Sequence, residues 1–160
     1  MEYLQYYKDK IILVTGGAGA IGCNLVKALA EASAKLVVVF DNLSSSYVWN
    51  IPSLPNVMFV RGDVARDVDL KRVFNEKPQI VFHLAAFFAN QNSVDYPEID
   101  LKTNGLGTLK VLEYSKLAKI DKFVYASSGC SIYGSRAPMP LKEDFISINF
   151  DSTSEYLNLL

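Results

Sequence analysis

Gly16, Gly19 and Gly22 stand three residues apart in VTGGAGAIG, a spacing that can fold backbone around a phosphate. In such a turn the first glycine permits the bend and the second lets the chain approach a pyrophosphate. The third lets a following helix pack closely on the preceding strand. The helix start then offers unpaired N–H groups and a positive dipole end to the anion. A mononucleotide P-loop would need Lys and then Ser or Thr after the last glycine. Cys23 and Asn24 stand there, so that chemistry is excluded. Asp41 closes the next apolar run, near the offset of about 20 residues expected for the acid that holds an adenosine ribose. A carboxylate there accepts from both ribose hydroxyls and repels a 2′-phosphate, which favours NAD over NADP. The plainer alternative is that Asp41-Asn42 only starts a turn.

Other reactive side chains are sparse. His83 is the single histidine and closes an apolar run, which suits a structural role better than that of a base. Cys23 and Cys130 match no zinc or redox spacing, so no metal site is expected. They read as reduced thiols of a cytoplasmic protein.

The elements that must position these residues alternate. KIILVTGG (10–17), KLVVVFDN (35–42), NVMFVRGDV (56–64), QIVFHLAA (79–86) and KFVYASS (122–128) are runs rich in Val, Ile and Phe. They fit strands buried on both faces, as in a parallel sheet. Between them, residues 19–33, 67–77 and 98–119 carry helical spacing, the second stopped by Pro78 and the third holding Gly105 and Gly107 inside it. The crossover at 43–55 is irregular, with SSS, two prolines and the single tryptophan, Trp49. Strand, helix, strand in repetition predicts right-handed crossovers and an α/β, doubly wound parallel sheet.

Composition agrees with a globular domain. The 160 residues are 50% hydrophobic and 21% charged, enough for one domain with a substantial core. A formal net charge of −1 offers no footprint for nucleic acid or an anionic membrane. The apolar runs have strand length, too short to span a bilayer, and no secretory leader is expected.

With these motifs assembled, the sequence resembles the extended short-chain dehydrogenase/reductase family, particularly its NAD-dependent nucleotide-sugar epimerases and dehydratases. The family's TGGxGxxG turn matches Thr15 to Gly22, and its Asp-Asn matches Asp41-Asn42. Its Asp-hydrophobic pair at the adenine matches Asp63-Val64, and its fourth-strand end matches His83-Leu84-Ala85-Ala86. Its Asn-x-x-Gly-Thr matches Asn104, Gly107 and Thr108, and its serines before Tyr-Gly match SSGCSIYG, Ser127 to Gly134. The resemblance implies a Rossmann-type NAD-binding domain over residues 1–160, ending before a substrate domain. It implies cofactor contacts from Gly16, Gly19, Ala20, Ile21, Asp41, Asn42, Asp63, Val64, Leu84, Ala85, Ala86, Asn104 and Ser127. Phe87 and Phe88 would shape the nicotinamide pocket or fill core.

The family's reaction, as the resemblance implies it, moves a hydride from a sugar carbon to the nicotinamide. A tyrosinate takes the hydroxyl proton, and a lysine one helical turn later favours the phenolate of a group whose ordinary pKa is about 10. Tyr156 falls where that tyrosine is expected, but Leu160 stands at the lysine's position. The family's catalytic Ser/Thr position falls on Gly129; Ser128 and Ser131 flank it, and Ser131 could share its face on an extended strand. The acids that dehydratases carry just before Tyr-Gly are replaced here by GCSI, which favours an epimerase acting on a nucleotide-sugar. With the lysine lost, turnover by this chain alone is expected to be impaired, since one acid/base group is worth about 10²–10⁴-fold. A cofactor-holding module, a truncated product and a related dehydrogenase of the same family remain open. Without a helix covering the fifth strand, apolar surface would be exposed, so self-association or a homodimer is expected.

Overall fold

The Val- and Ile-rich runs become five parallel strands; the three central ones are buried along most of their length, whereas the edge strands Val57–Arg61 and Lys122–Tyr125 are only partly buried. The computed structural model describes residues 2–88, 90–127, 139, 140 and 142. The sheet and its helices belong to the first of two compact units, Met1–Tyr125; the second runs Ala126–Leu160.

The strands are β1 (Ile11–Thr15), β2 (Leu36–Asp41), β3 (Val57–Arg61), β4 (Ile80–His83) and β5 (Lys122–Tyr125). They lie side by side in the order β3-β2-β1-β4-β5, every neighbouring pair parallel. The helices are α1 (Ala20–Glu31), α2 (Asp67–Phe74), α3 (Asn90–Asp95), α4 (Pro97–Asp100) and α5 (Thr108–Ala118). A π-helical segment, Leu101–Gly107, joins α4 to α5.

Strand side chains alternate between two layers, which makes the sheet doubly wound. Ile12, Val14, Val37, Val39, Ile80 and Phe82 pack with Val26, Leu29 and Ala30 of α1. Leu13, Val38, Phe40 and Val81 pack on the other face with Leu70, Val73 and Phe74 of α2 and Val111 of α5. Each such buried aliphatic side chain contributes about 1.5–3 kcal/mol, so the layers hold the strand ends in fixed register.

The expected strands and helices are present, each strand shorter at its C-terminal end. The residues trimmed from the strands, such as 16–17 and 84–86, are the loops that leave the sheet's upper edge. Helix α2 stops at Phe74 and not at the residue before Pro78; Lys77 instead adopts φ +57°. The expected single helix over 98–119 is interrupted by the π-helical segment, which contains both of its glycines. Among the described residues, no helix is long and apolar enough to cross a membrane.

Candidate functional site

The strand order reverses between β1 and β4: β1 leads outward to β2 on one side, and β4 to β5 on the other. Parallel α/β sheets open a crevice at such a point, above the C-terminal strand ends. The glycine turn and the residues after β4 form its two walls.

Gly16 leaves β1 with φ +68°, a left-handed conformation that glycine adopts without strain. It is also pressed against the opposite wall, since a Cβ there would lie 2.7 Å from the Ala85 nitrogen. Gly22, in the first turn of α1, has no room either: a Cβ would sit 2.3 Å from the Gly16 carbonyl oxygen. Gly19 differs. A Cβ there would meet only the Gly16 carbonyl oxygen, at 3.3 Å, and otherwise open space. No side chain caps α1 at Gly19, and its first turn holds no acid, so its leading N–H groups stay available to an anion. Ala20 and Ile21 are exposed at this helix start.

Asp41, at the end of β2, is tied into the turn. Its Oδ2 accepts from the Ala18 N–H at 3.0 Å, while Oδ1 accepts from the Leu43 N–H at 2.8 Å and the Ser46 hydroxyl at 2.9 Å. Asn50 adds a second brace, its side-chain amide donating to the Ala18 carbonyl at 3.0 Å. The irregular crossover therefore clamps the glycine turn from behind, a role its SSS and aromatic residues did not announce. Asn42 is exposed and accepts from the Ser44 N–H at 2.9 Å.

Beneath the other wall lies a buried polar chain that sequence reasoning missed. Thr15 and His83 sit opposite each other in the β1–β4 register, and the Thr15 hydroxyl lies 2.6 Å from His83 Nδ1. That hydroxyl also accepts from the Leu84 and Ala85 N–H groups, at 3.2 and 3.3 Å. With its acceptor sites so used, the hydroxyl donates its proton to Nδ1. Nε2 then carries the ring proton and donates to the Thr108 hydroxyl at 2.9 Å. Burial lowers the His83 pKa to about 4, so the ring is neutral. His83 thus links β1, β4 and α5 and leaves no ring nitrogen for proton transfer. The available signal was polar residues at the ends of two adjacent apolar strands.

Asn104, in the π-helical segment, grips the backbone of Phe87. Its Oδ1 accepts from the Phe87 N–H at 2.8 Å, and its Nδ2 donates to the Phe87 carbonyl at 3.0 Å and to Asp100. Both amide hydrogens are thereby used within the protein. Asn92 likewise donates to the Phe88 carbonyl at 2.8 Å. With its backbone held, Phe88 projects outward, 84% exposed, while Phe87 is half-buried. A widened helical turn of this kind is a recurrent feature of functional sites.

At the far side of β2, Asp63 follows β3. Its Oδ1 accepts from the Ala65 N–H at 2.8 Å, and its own N–H donates to Asp69 at 3.1 Å. Val64 is buried against Gly107, where a Cβ would approach it to 2.7 Å. Gly107, the second glycine of that helical candidate, is therefore a packing contact.

The fold so arranged has clear relatives. The model of the NAD dependent epimerase/dehydratase family matches residues 12–157. The chain belongs to that family. Among relatives in this epimerase/dehydratase family, the UDP-glucose 4-epimerase of Mycolicibacterium smegmatis is 42% identical over 136 residues, covering 82% of this chain and 43% of that protein. A solved epimerase from Methanothermobacter thermautotrophicus is 57% identical with a TM-score of 0.88, covering 93% of this chain and 44% of that one. The Thermus thermophilus UDP-glucose 4-epimerase, solved in complex with NAD, is 36% identical with a TM-score of 0.75, covering 85% and 43%. The chain thus spans less than half the length of these family members.

Gly16, Gly19, Ala20, Ile21, Asp41 and Asn42 come together on one wall of the crevice, and Leu84, Ala85 and Ala86 follow β4 on the other. Asp63 and Val64 lie at the β3 end, and Asn104 stands behind Phe87. Ser127 is exposed and belongs to the second unit. The three positions read as catalytic, Ser128, Ser131 and Tyr156, lie outside the described residues, as does Cys130.

Proposed function

We propose that this chain is the cofactor-holding part of an NAD-dependent nucleotide-sugar epimerase. The observation that carries the reading is the crevice where Gly16 meets Ala85, with the uncapped start of α1 and Asp41 on one wall. The residues fit a dinucleotide: space is left open at Gly19, where a pyrophosphate would approach, and closed at Gly16 and Gly22, where the protein packs on itself. When bound, NAD would accept a hydride from a sugar carbon and return it, so that the carbon's configuration can invert.

The chain's own residues then divide the work. The N–H groups at the start of α1 bind the pyrophosphate, and Asp41 accepts from an adenosine ribose hydroxyl with the one lone pair its three internal partners leave, on Oδ2. Asp63 and Val64 flank the adenine. Leu84, Ala85 and Ala86 form the floor, held level by Thr15 and His83. Asn104 acts through Phe87 and is a positioning residue in this reading. Tyr156 takes the sugar hydroxyl proton, with Ser131 or Ser128 bonding the same oxygen. The nucleotide-sugar itself is gripped by chain outside these residues, in keeping with the share of each relative that is matched.

Leu160, where the family has lysine, favours a second reading for these 160 residues taken alone: cofactor binding with impaired turnover. Self-association belongs to the same proposal, supported by exposed Leu109, Leu112 and Leu117 on α5. A cytoplasmic setting suits the free thiol of Cys23.

Calorimetric titration with NAD⁺ tests the reading. Gly19→Ala has a φ of −72° to accommodate it and should fold, yet its methyl occupies the open space, so binding should weaken at least about tenfold, or about 1.4 kcal/mol. A folded Gly19→Ala chain that binds NAD⁺ as tightly as the parent, or a folded parent that binds none, would sink the proposal.

A further inference from the structure

Ala18, in the middle of the glycine turn, is fully buried, and both its backbone polar groups are taken by the chain that follows β2. Its N–H donates to Asp41 Oδ2, and its carbonyl accepts from the Asn50 side-chain amide, each at 3.0 Å. The peptide joining Ala18 to Gly19 is therefore held at both ends. Asn50 takes its carbonyl, and the Gly16 carbonyl takes its N–H at 3.1 Å. The next carbonyl, that of Gly19, already accepts the Cys23 N–H of α1 at 2.9 Å.

This peptide needs the brace more than its neighbours do. Rotating a peptide plane changes ψ of the residue before it and φ of the residue after it, here Gly19. Gly19 sits at φ −72°, but glycine takes positive φ almost as readily, so its own backbone does not oppose the rotation. Rotation would break the bonds to Asn50 and Gly16 and redirect the chain where it enters α1. The leading N–H groups of the helix would then no longer converge on one anion. Asn50 can resist this because its own segment is anchored. It ends a 3₁₀ turn, Val48–Asn50, closed by the Asn50 N–H on the Tyr47 carbonyl at 3.0 Å. Ile51 and Leu54 pack into the α1-side core, and the Tyr47 and Trp49 rings stack at 4.3 Å.

We propose that Asn50 is a positioning residue for the dinucleotide: from behind the turn, it locks the Ala18–Gly19 peptide in the orientation that aims the start of α1 at the pyrophosphate. The inference rests on the reading above that this helix start takes the pyrophosphate. Without the lock, only a fraction of folded molecules holds the competent turn, and apparent affinity falls by that fraction. One neutral hydrogen bond sets that fraction at about a third to a tenth.

The test uses the full chain as parent, Asn50→Ala and Asn50→Leu, the last close in shape but without a donor. NAD⁺ and ADP are titrated by calorimetry and adenosine, which lacks the pyrophosphate, by NMR. Both variants should weaken NAD⁺ and ADP about three- to tenfold and leave adenosine within about twofold. The Gly19 amide should exchange slowly in the parent and faster in both variants, while β1 and β2 amides stay protected. Unchanged NAD⁺ and ADP affinity, or a leucine variant that binds like the parent, would overturn the lock and leave the proposed function standing. Adenosine weakened as much as ADP would also overturn it, marking Asn50 as a support of the whole fold. If neither variant folds, the parent still decides: fast exchange at the Gly19 amide would overturn the lock. Failure of NAD⁺ and ADP to bind the folded parent would overturn both readings together.

Discussion

Replacing Thr15 with valine should destabilise the protein more than replacing it with serine, although valine is the more apolar. Thr15 is fully buried at the end of β1, and its surroundings give separate magnitudes for its methyl and its hydroxyl. In Thr15→Val, His83 Nδ1 loses its donor and the Ala85 N–H loses its acceptor, whereas the Leu84 N–H keeps the Thr15 carbonyl at 3.1 Å. Each of the two orphaned buried groups costs about 1–3 kcal/mol, and the added methyl returns about 1 kcal/mol, for a net loss of about 1–5 kcal/mol, centred near 3. Thr15→Ser keeps the hydroxyl and gives up one methyl, about 1 kcal/mol. Urea unfolding followed by circular dichroism ranks the three proteins, with an unchanged slope confirming that stability alone has moved. If packing governs the site, the valine protein will equal or exceed the serine protein. That order would refute the hydrogen-bonded account of the β1–β4 junction and the His83 tautomer drawn from it.

Two further outcomes follow from the same wall of the crevice. The folded-state pKa of His83 is about 4, below the ordinary 6.5, so the unfolded chain takes up the proton first on acidification. Stability should therefore be full above about pH 6.5 and fall progressively towards pH 4, by up to about 3 kcal/mol. His83→Gln should remove this part of the pH dependence in urea melts; the same slope in both proteins would count against a neutral buried ring. Asn104→Ala should free both the N–H and the carbonyl of Phe87. Hydrogen exchange at the Phe87 amide should quicken while amides of β1 and β4 stay protected; uniform quickening would mean that Asn104 supports the whole fold.

Much of the architecture was legible because its cause is local and periodic. Continuous apolar runs such as LVVVF can only be satisfied by burial on both faces, and the helical stretches between them supply the cover. The glycine spacing was legible for a similar reason, since each glycine marks a place where a side chain would collide or obstruct. Gly16 and Gly22 are filled against backbone in the folded chain, and Gly19 is left open. Asp41 was visible by its offset, but both the ligand reading and the turn reading had a basis: the carboxylate starts a turn through Leu43 and also braces Ala18.

What the sequence by itself determined is the kind of layer each segment must join and the residues at the strand ends, because burial and backbone sterics act within a few residues. Only the tertiary structure decided which strand ends face one another. The pairing of Thr15 with His83, of Gly16 with Ala85 and of Asp41 with Arg61 depends on strand order and register, set by packing between residues far apart in the chain. The π-helical segment belongs to the same class. The helical periodicity of residues 98–119 carries no sign of it, whereas Asn104 is held by Asp100 and by the Phe87 backbone in the segment after β4.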